Sequence, residues 1–135
     1  MTKRAWLFTN HSPAQYPYSS IKPEDDIIAV DSGLELVLSL GLKARVLIGD
    51  LDSIDKNLIP EDLETISFAT EKNETDTELA LNWALKRGYS QIIILNDMQG
   101  RIDHALGLIQ NLEYASGPDY DLRIETGRQI LFMLK

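Results

Sequence analysis

Short, continuous apolar runs alternate along this chain with stretches whose apolar positions recur at helical spacing. Ile27-Ile28-Ala29-Val30 is apolar throughout, as expected of a strand buried on both faces. Ala5 to Phe8, Arg45 to Gly49, Thr65 to Phe68 and Gln91 to Leu95 read as further strands. Between them, Leu34-Glu35-Leu36-Val37-Leu38-Ser39-Leu40 has the spacing of a short helix, stopped by Gly41. Thr75 to Arg87 predicts a longer one. Thr75 and Glu78 stand at capping-box spacing, Leu79, Leu81, Ala84 and Leu85 supply an apolar face, and Lys86, Arg87 and Gly88 close it. Arg101 to Tyr114, with Leu106, Ile109 and Leu112, predicts another helix. Asn10 to Asp26, with Pro13, Pro17 and Pro23, reads as an irregular loop.

Strands alternating with helices predict an α/β fold: a three-layer α/β/α, Rossmann-like domain with a mainly parallel sheet, over residues 1–118. The tail differs. Leu122-Arg123-Ile124 and Ile130 to Leu134 flank a turn at Gly127, so 119–135 predicts a β-hairpin or the first strands of a β-rich segment. The chain stops inside that apolar run, and the expectation is that it is a piece of a longer protein.

Composition narrows the function. The 135 residues carry 44% hydrophobic and 25% charged side chains, a globular balance. The net charge of −8 argues against sequence-independent nucleic-acid binding. Phosphate ligands remain open, because a divalent cation bridges carboxylate to phosphate. The absence of cysteine excludes disulfides, thiolate metal sites and cysteine nucleophiles. Neither a signal peptide nor a run near the ~20 apolar residues of a membrane span is present. A soluble, cytoplasmic protein without nucleic-acid or membrane partners is the expectation.

Candidate chemistry gathers where ligands gather in open α/β sheets, beyond the C-terminal ends of strands. Asp50 and Asp52 follow the run Val46-Leu47-Ile48 and, two apart in an extended segment, face one side. Their mutual repulsion is relieved by Mg²⁺, with Asp76 as a third ligand from the first turn of a helix. The competing reading has the pair hydrogen-bonding local turn amides. In Glu71-Lys72-Asn73-Glu74-Thr75-Asp76, the local sequence favours Thr75 with Glu78 as a helix cap and Asp76 as dipole partner, a placement that also suits a ligand, and Lys72 pairs with Glu71 or Glu74 or reaches a phosphate. Arg101, after Gly100, opens a helix, where the dipole disfavours a cation; a polyphosphate would offset that placement. Asp103 and His104 follow, His104 as a general base or a structural residue. Asp31-Ser32-Gly33 is either an anion or ribose contact or a plain N-cap.

The ordered motifs VDSG, IGDLDSI, EKNETDTELAL and QGRIDH, across roughly positions 27 to 115, resemble the N-terminal catalytic domain of thiamin pyrophosphokinase. The resemblance implies Mg²⁺-dependent transfer of a pyrophosphoryl group from ATP to the hydroxyl of thiamin, giving thiamin diphosphate and AMP. It implies a homodimer and a C-terminal β-domain that helps build the thiamin site. Carried over by motif, Asp50, Asp52 and Asp76 would hold Mg²⁺ and the ATP phosphates, and Arg101 would bind phosphate. Asp31, Ser32, Gly33, Ser53, Lys72, Thr75, Gly100, Asp103 and His104 would line the substrate and nucleotide site.

This chain departs from the family pattern at several positions. Ser32 replaces a glycine, Asn73 an aspartate, Ala44-Arg45 a Pro-Asp, and Leu108 an asparagine; Asn96-Asp97-Met98-Gln99-Gly100 replaces a more glycine-rich turn. Three other readings stand beside the resemblance. One is a phosphatase-like enzyme with Asp50 as nucleophile and Asp52 as acid. Another is a pyrophosphokinase for a different alcohol, such as a pterin. The last is a degenerate, non-catalytic nucleotide-binding or dimerisation module.

Overall fold

Seven short strands form one sheet, and their order carries the functional argument. The computed structural model describes residues 3–49, 54–67, 76–97, 121–127 and 130–132. The elements are β1 (Arg4–Phe8), β2 (Asp26–Val30), α1 (Gly33–Ser39), β3 (Val46–Ile48), β4 (Glu64–Ile66), α2 (Asp76–Lys86), β5 (Gln91–Leu95), β6 (Asp121–Glu125) and β7 (Ile130–Phe132). The order across the sheet is β4-β3-β2-β1-β5-β6-β7. Strands β1 to β6 are parallel. Only β7 runs antiparallel, folding back on β6 with Glu125 opposite Ile130. The helix read over 101–114 lies outside the described residues.

The two faces of the sheet follow from the period-two alternation of strand side chains. Ala5 and Leu7 of β1 join Ile28, Val30, Val46, Ile48, Ile92 and Ile94 on one face, under Leu79, Ala80, Leu81 and Ala84 of α2. Trp6 and Phe8 join Ile27, Ala29, Leu47, Ile93 and Leu95 on the other, under Leu34 and Val37 of α1. Among the described residues one helix covers each face, making three layers as the alternation predicted. Leu34 is fully buried. Truncating it to alanine would cost about 3–5 kcal/mol, the range for a leucine cavity that cannot collapse. Gly41 ends α1 at φ +72, the left-handed conformation a glycine terminator supplies.

Over the 10–25 segment a 3₁₀ turn at Tyr18–Ser20 is the one regular element. Its tyrosines form part of the second layer: Tyr16 packs edge-on to Trp6, and Tyr18 stacks on Phe8 at 5.6 Å. At the N-terminal end of the sheet, Asp25 accepts bonds from Arg4, Trp6 and the amide of Lys22. Asp26 there accepts from Arg45 and Tyr89 and pairs with Lys3. This charged end lies opposite the end where the loops described next converge.

Candidate functional site

The chain steps outward from β1 through β2, β3 and β4, then returns through α2 to lay β5 on the other side of β1. The strand order therefore reverses between β1 and β5. In open α/β sheets the crevice at such a reversal, outside the C-terminal strand ends, is where ligands bind. Four described segments end there: the residues after β1, β2, β3 and β5.

Beyond β2 and β3 the parallel ladder continues for one further residue each. The Asp31 amide donates to the Ile48 carbonyl at 3.0 Å, and the Gly49 amide to the Ile66 carbonyl at 3.0 Å. Those bonds fix both backbones at the rim. Asp31 takes φ +51, a left-handed conformation that aspartate adopts more readily than most residues. Gly49 takes φ +134, which effectively requires glycine. A Cβ on Gly49 would lie 2.1 Å from Oδ1 and 2.9 Å from Cγ of Asp31, and 3.3 Å from Cγ of Asp76. The two carboxyl carbons are therefore no further apart than the sum of 2.9 and 3.3 Å.

Two carboxylates from separate elements thus converge over a glycine that leaves room for both. Like charges at that range repel by on the order of 1 kcal/mol in water-like surroundings and several-fold more at a lower effective dielectric. Asp76 is the first residue of α2, where the helix dipole partly compensates a negative charge. The arrangement suits a hard divalent cation or a cationic ligand group, because either would remove the remaining repulsion. Among the described residues no third histidine, aspartate or glutamate completes a metal-binding group.

Gly33 has a different reason for being glycine. A Cβ there would sit 1.9 Å from the carbonyl oxygen of Phe8 and 2.6 Å from its carbon. The first turn of α1 thus packs backbone to backbone on the end of β1, bringing Asp31 and Ser32 to the crevice. Ser32 stands at the N-cap of α1, as one reading of the sequence had it, but makes no side-chain cap bond there.

The wall at the reversal is polar. Thr9, directly after β1, and Asn96, directly after β5, are both buried. The Thr9 hydroxyl donates to the Leu95 carbonyl at 2.7 Å and accepts from the His11 amide at 3.2 Å. Asn96 Nδ2 donates to the same hydroxyl at 3.4 Å, and the Asp97 amide donates to the His11 carbonyl at 2.7 Å. Ser12 Oγ donates to the Thr9 carbonyl at 2.8 Å.

Of the residues singled out in the sequence, Asp31, Ser32, Gly33 and Asp76 are described, and Asp31 and Asp76 come together. Asp50, Asp52, Ser53, Lys72, Thr75, Gly100, Arg101, Asp103 and His104 lie outside the described residues. Sequence reasoning did not single out Gly49, Thr9 or Asn96. The available signal was a polar or glycine residue ending each apolar run, but its value depends on which strands are neighbours.

Comparison with known proteins places this geometry in a family. The family model for the thiamin pyrophosphokinase catalytic domain matches residues 19–124. Thiamine pyrophosphokinase of Bacillus subtilis is 37% identical over 89 residues, covering 63% of this chain and 42% of that protein. The crystal structure of thiamine pyrophosphokinase from Bacillus subtilis superposes with a TM-score of 0.76 at 27% identity, covering 92% of this chain and 60% of that one. That of thiamin pyrophosphokinase from Geobacillus thermodenitrificans gives 0.73 at 25% identity, covering 93% and 59%. The chain thus spans about two-fifths to three-fifths of the length of these relatives.

Proposed function

Because the chain belongs to the thiamin pyrophosphokinase family, we propose that it carries out, or contributes the nucleotide half of, pyrophosphate transfer from ATP to the hydroxyl of thiamin. The observation that supports this reading most is the convergence of the Asp31 and Asp76 carboxylates over Gly49 at the crevice. In this reading Asp76, with Asp50 and Asp52 from the segment that follows Gly49, holds Mg²⁺. A divalent ion held there would supply positive charge against the phosphates. Arg101 takes negative charge on the phosphates through a bidentate contact. Asp31 orients a substrate from the opposite side of the Gly49 gap. Ser32, Gly33, Ser53, Lys72, Thr75, Gly100, Asp103 and His104 line the nucleotide and substrate path.

The reaction forms a bond between the thiamin hydroxyl oxygen and the β-phosphorus of ATP. The bond from that phosphorus to the α,β-bridging oxygen breaks, and AMP leaves. The hydroxyl proton passes to a base or to solvent. Positioning and fixed charge supply most of the acceleration in such a transfer.

We read residues 1–118, together with the strands β6 and β7 that complete their sheet, as the ATP- and Mg²⁺-binding unit. Cytoplasmic location and a homodimer belong to the same reading, and sedimentation equilibrium tests the dimer. Product analysis tests the chemistry. ATP, Mg²⁺ and thiamin should yield AMP and thiamin diphosphate. ADP as the product would overturn the reaction class, and Mg²⁺-dependent ATP binding without AMP would instead support a non-catalytic nucleotide-binding module.

A further inference from the structure

Glu125 ends β6 as the one charged residue in the buried set among the described residues, and the reaction outlined above leaves it unused. Its carboxylate accepts the hydroxyl of Tyr16, which lies 109 residues earlier in the chain. Its backbone carbonyl accepts the Asn96 amide at 3.2 Å. One residue therefore ties the segment after β1 to the segment after β5. Gly127, two residues on, packs against the same loop: a Cβ there would lie 2.6 Å from the carbonyl oxygen of Gln15 and 3.2 Å from Cβ of Pro13.

Both anchor points bear on one loop. It leaves β1 at Thr9, lines the crevice through His11 and Ser12, and returns to the sheet at Tyr16. Its crevice end rests on the bonds from Thr9 to Leu95 and from Asp97 to His11. Its far end rests on Glu125 and on the edge-on and tilted ring contacts of Tyr16 with Trp6 and Tyr18. Burial, and then the bond to Glu125, raise the Tyr16 hydroxyl above its ordinary pKa.

We propose that Tyr16 and Glu125 are positioning residues: their hydrogen bond latches the 9–16 loop so that His11 and Ser12, seated on the buried Thr9, present a preformed wall to the nucleotide. The proposal rests on the reading of the crevice as an ATP site. Unlatching lowers the fraction of molecules whose wall is in place and weakens apparent affinity by that fraction, without altering the reacting groups.

The experiment compares Tyr16→Phe, Glu125→Ala and Glu125→Gln, with Mg²⁺-ATP binding read by calorimetry and the His11 and Asp97 amides by hydrogen exchange. Tyr16→Phe keeps the ring packing and removes the donor alone. Glu125→Gln keeps an acceptor oxygen. The expected result is about a tenfold rise in Kd for ATP in Tyr16→Phe and Glu125→Ala, with faster exchange at both amides. Glu125→Gln should bind near wild type, a rescue that mere loss of fold would not give. Where AMP formation is measurable, the KM for ATP should rise while kcat holds. Unchanged ATP affinity in Tyr16→Phe, or Glu125→Gln as weak as Glu125→Ala, overturns the latch. Wild-type binding of ATP without AMP overturns only the reaction, whereas absence of ATP binding in the wild type overturns both.

Discussion

Replacing Gly49 by alanine should separate a site glycine from a turn glycine. Two contributions add at this position. The first is conformational: φ is +134, in a region where a side chain costs about 1–3 kcal/mol. The second is steric. The new methyl would lie 2.1 Å from Oδ1 of Asp31, far inside the ~3.5 Å of an ordinary heavy-atom contact. The carboxylate must swing away by more than 1 Å, and the Asp76 carboxyl at 3.3 Å leaves little room on that side. The combined cost should be about 2–4 kcal/mol, within the range of strained core substitutions. Gly41 and Gly88 serve as internal references: φ is +72 and +77, and a Cβ at either meets nothing within 4 Å. Alanine there should cost about 1–2 kcal/mol, the left-handed penalty alone.

Urea unfolding, followed by the fluorescence of Trp6 and Trp83, gives the comparison. A double-mutant cycle with Asp31→Ala isolates the steric part. Gly49→Ala should cost less in that background by about 1 kcal/mol or more, whereas in Asp31→Asn the overlap persists. A Gly49→Ala cost no larger than that of Gly41→Ala, or one unchanged by Asp31→Ala, would refute the packing of Asp31 over Gly49.

Asp76→Asn should lower AMP formation by at least 10²-fold while shifting stability by no more than ~1 kcal/mol, since lost dipole compensation is offset by relief of repulsion from Asp31; steady-state rates and urea midpoints check both. Gly33→Ala places a methyl 1.9 Å from a backbone oxygen that cannot move aside, so it should cost ~3 kcal/mol or more, whereas Ser32→Gly, which loses no cap bond, should cost a few tenths. Melting temperature should fall at both ends of the pH scale. Burial alone would raise Asp25 and Asp26, but bonds from Arg4, the Lys22 amide and Trp6, and from Tyr89, Lys3 and Arg45, hold both below the usual carboxylate value. Their stabilisation is complete above about pH 4 and is lost as pH falls through the depressed values. Burial raises Tyr16, Tyr18 and Tyr89, Tyr18 to about 12, so stability is lost as pH rises from about 10 through the raised values. A flat profile from pH 2 to 6 would contradict the acid limb.

Much of the architecture was legible because it rests on local periodicity. The apolar run at 91–95 became β5 with the same bounds, and the 34–40 pattern ended at Gly41 as its glycine required. Of the strand read over 65–68, Phe68 lies outside the described residues; the described part forms at Glu64–Ile66, a sheet edge where exposed Glu64 and Thr65 leave no strong apolar pattern. What periodicity does not encode is strand order. That Thr9 meets Asn96, or that Tyr16 reaches Glu125, depends on β5 returning beside β1, a contact across more than eighty residues. The site was legible in part for the same reason. Asp31 and Asp76 are recognisable as acids at element ends, but their meeting over Gly49 is a property of two adjacent ladders and a crossover helix.

The most direct test is a crystal structure of the chain with Mg²⁺ and a non-hydrolysable ATP analogue. One ion should lie ~2.1 Å from carboxylate oxygens of Asp76, Asp50 and Asp52, beside the phosphates, with Asp31 across the Gly49 gap. A nucleotide bound elsewhere on the sheet, or Asp76 engaged only with protein groups while the ion sits apart, would contradict it.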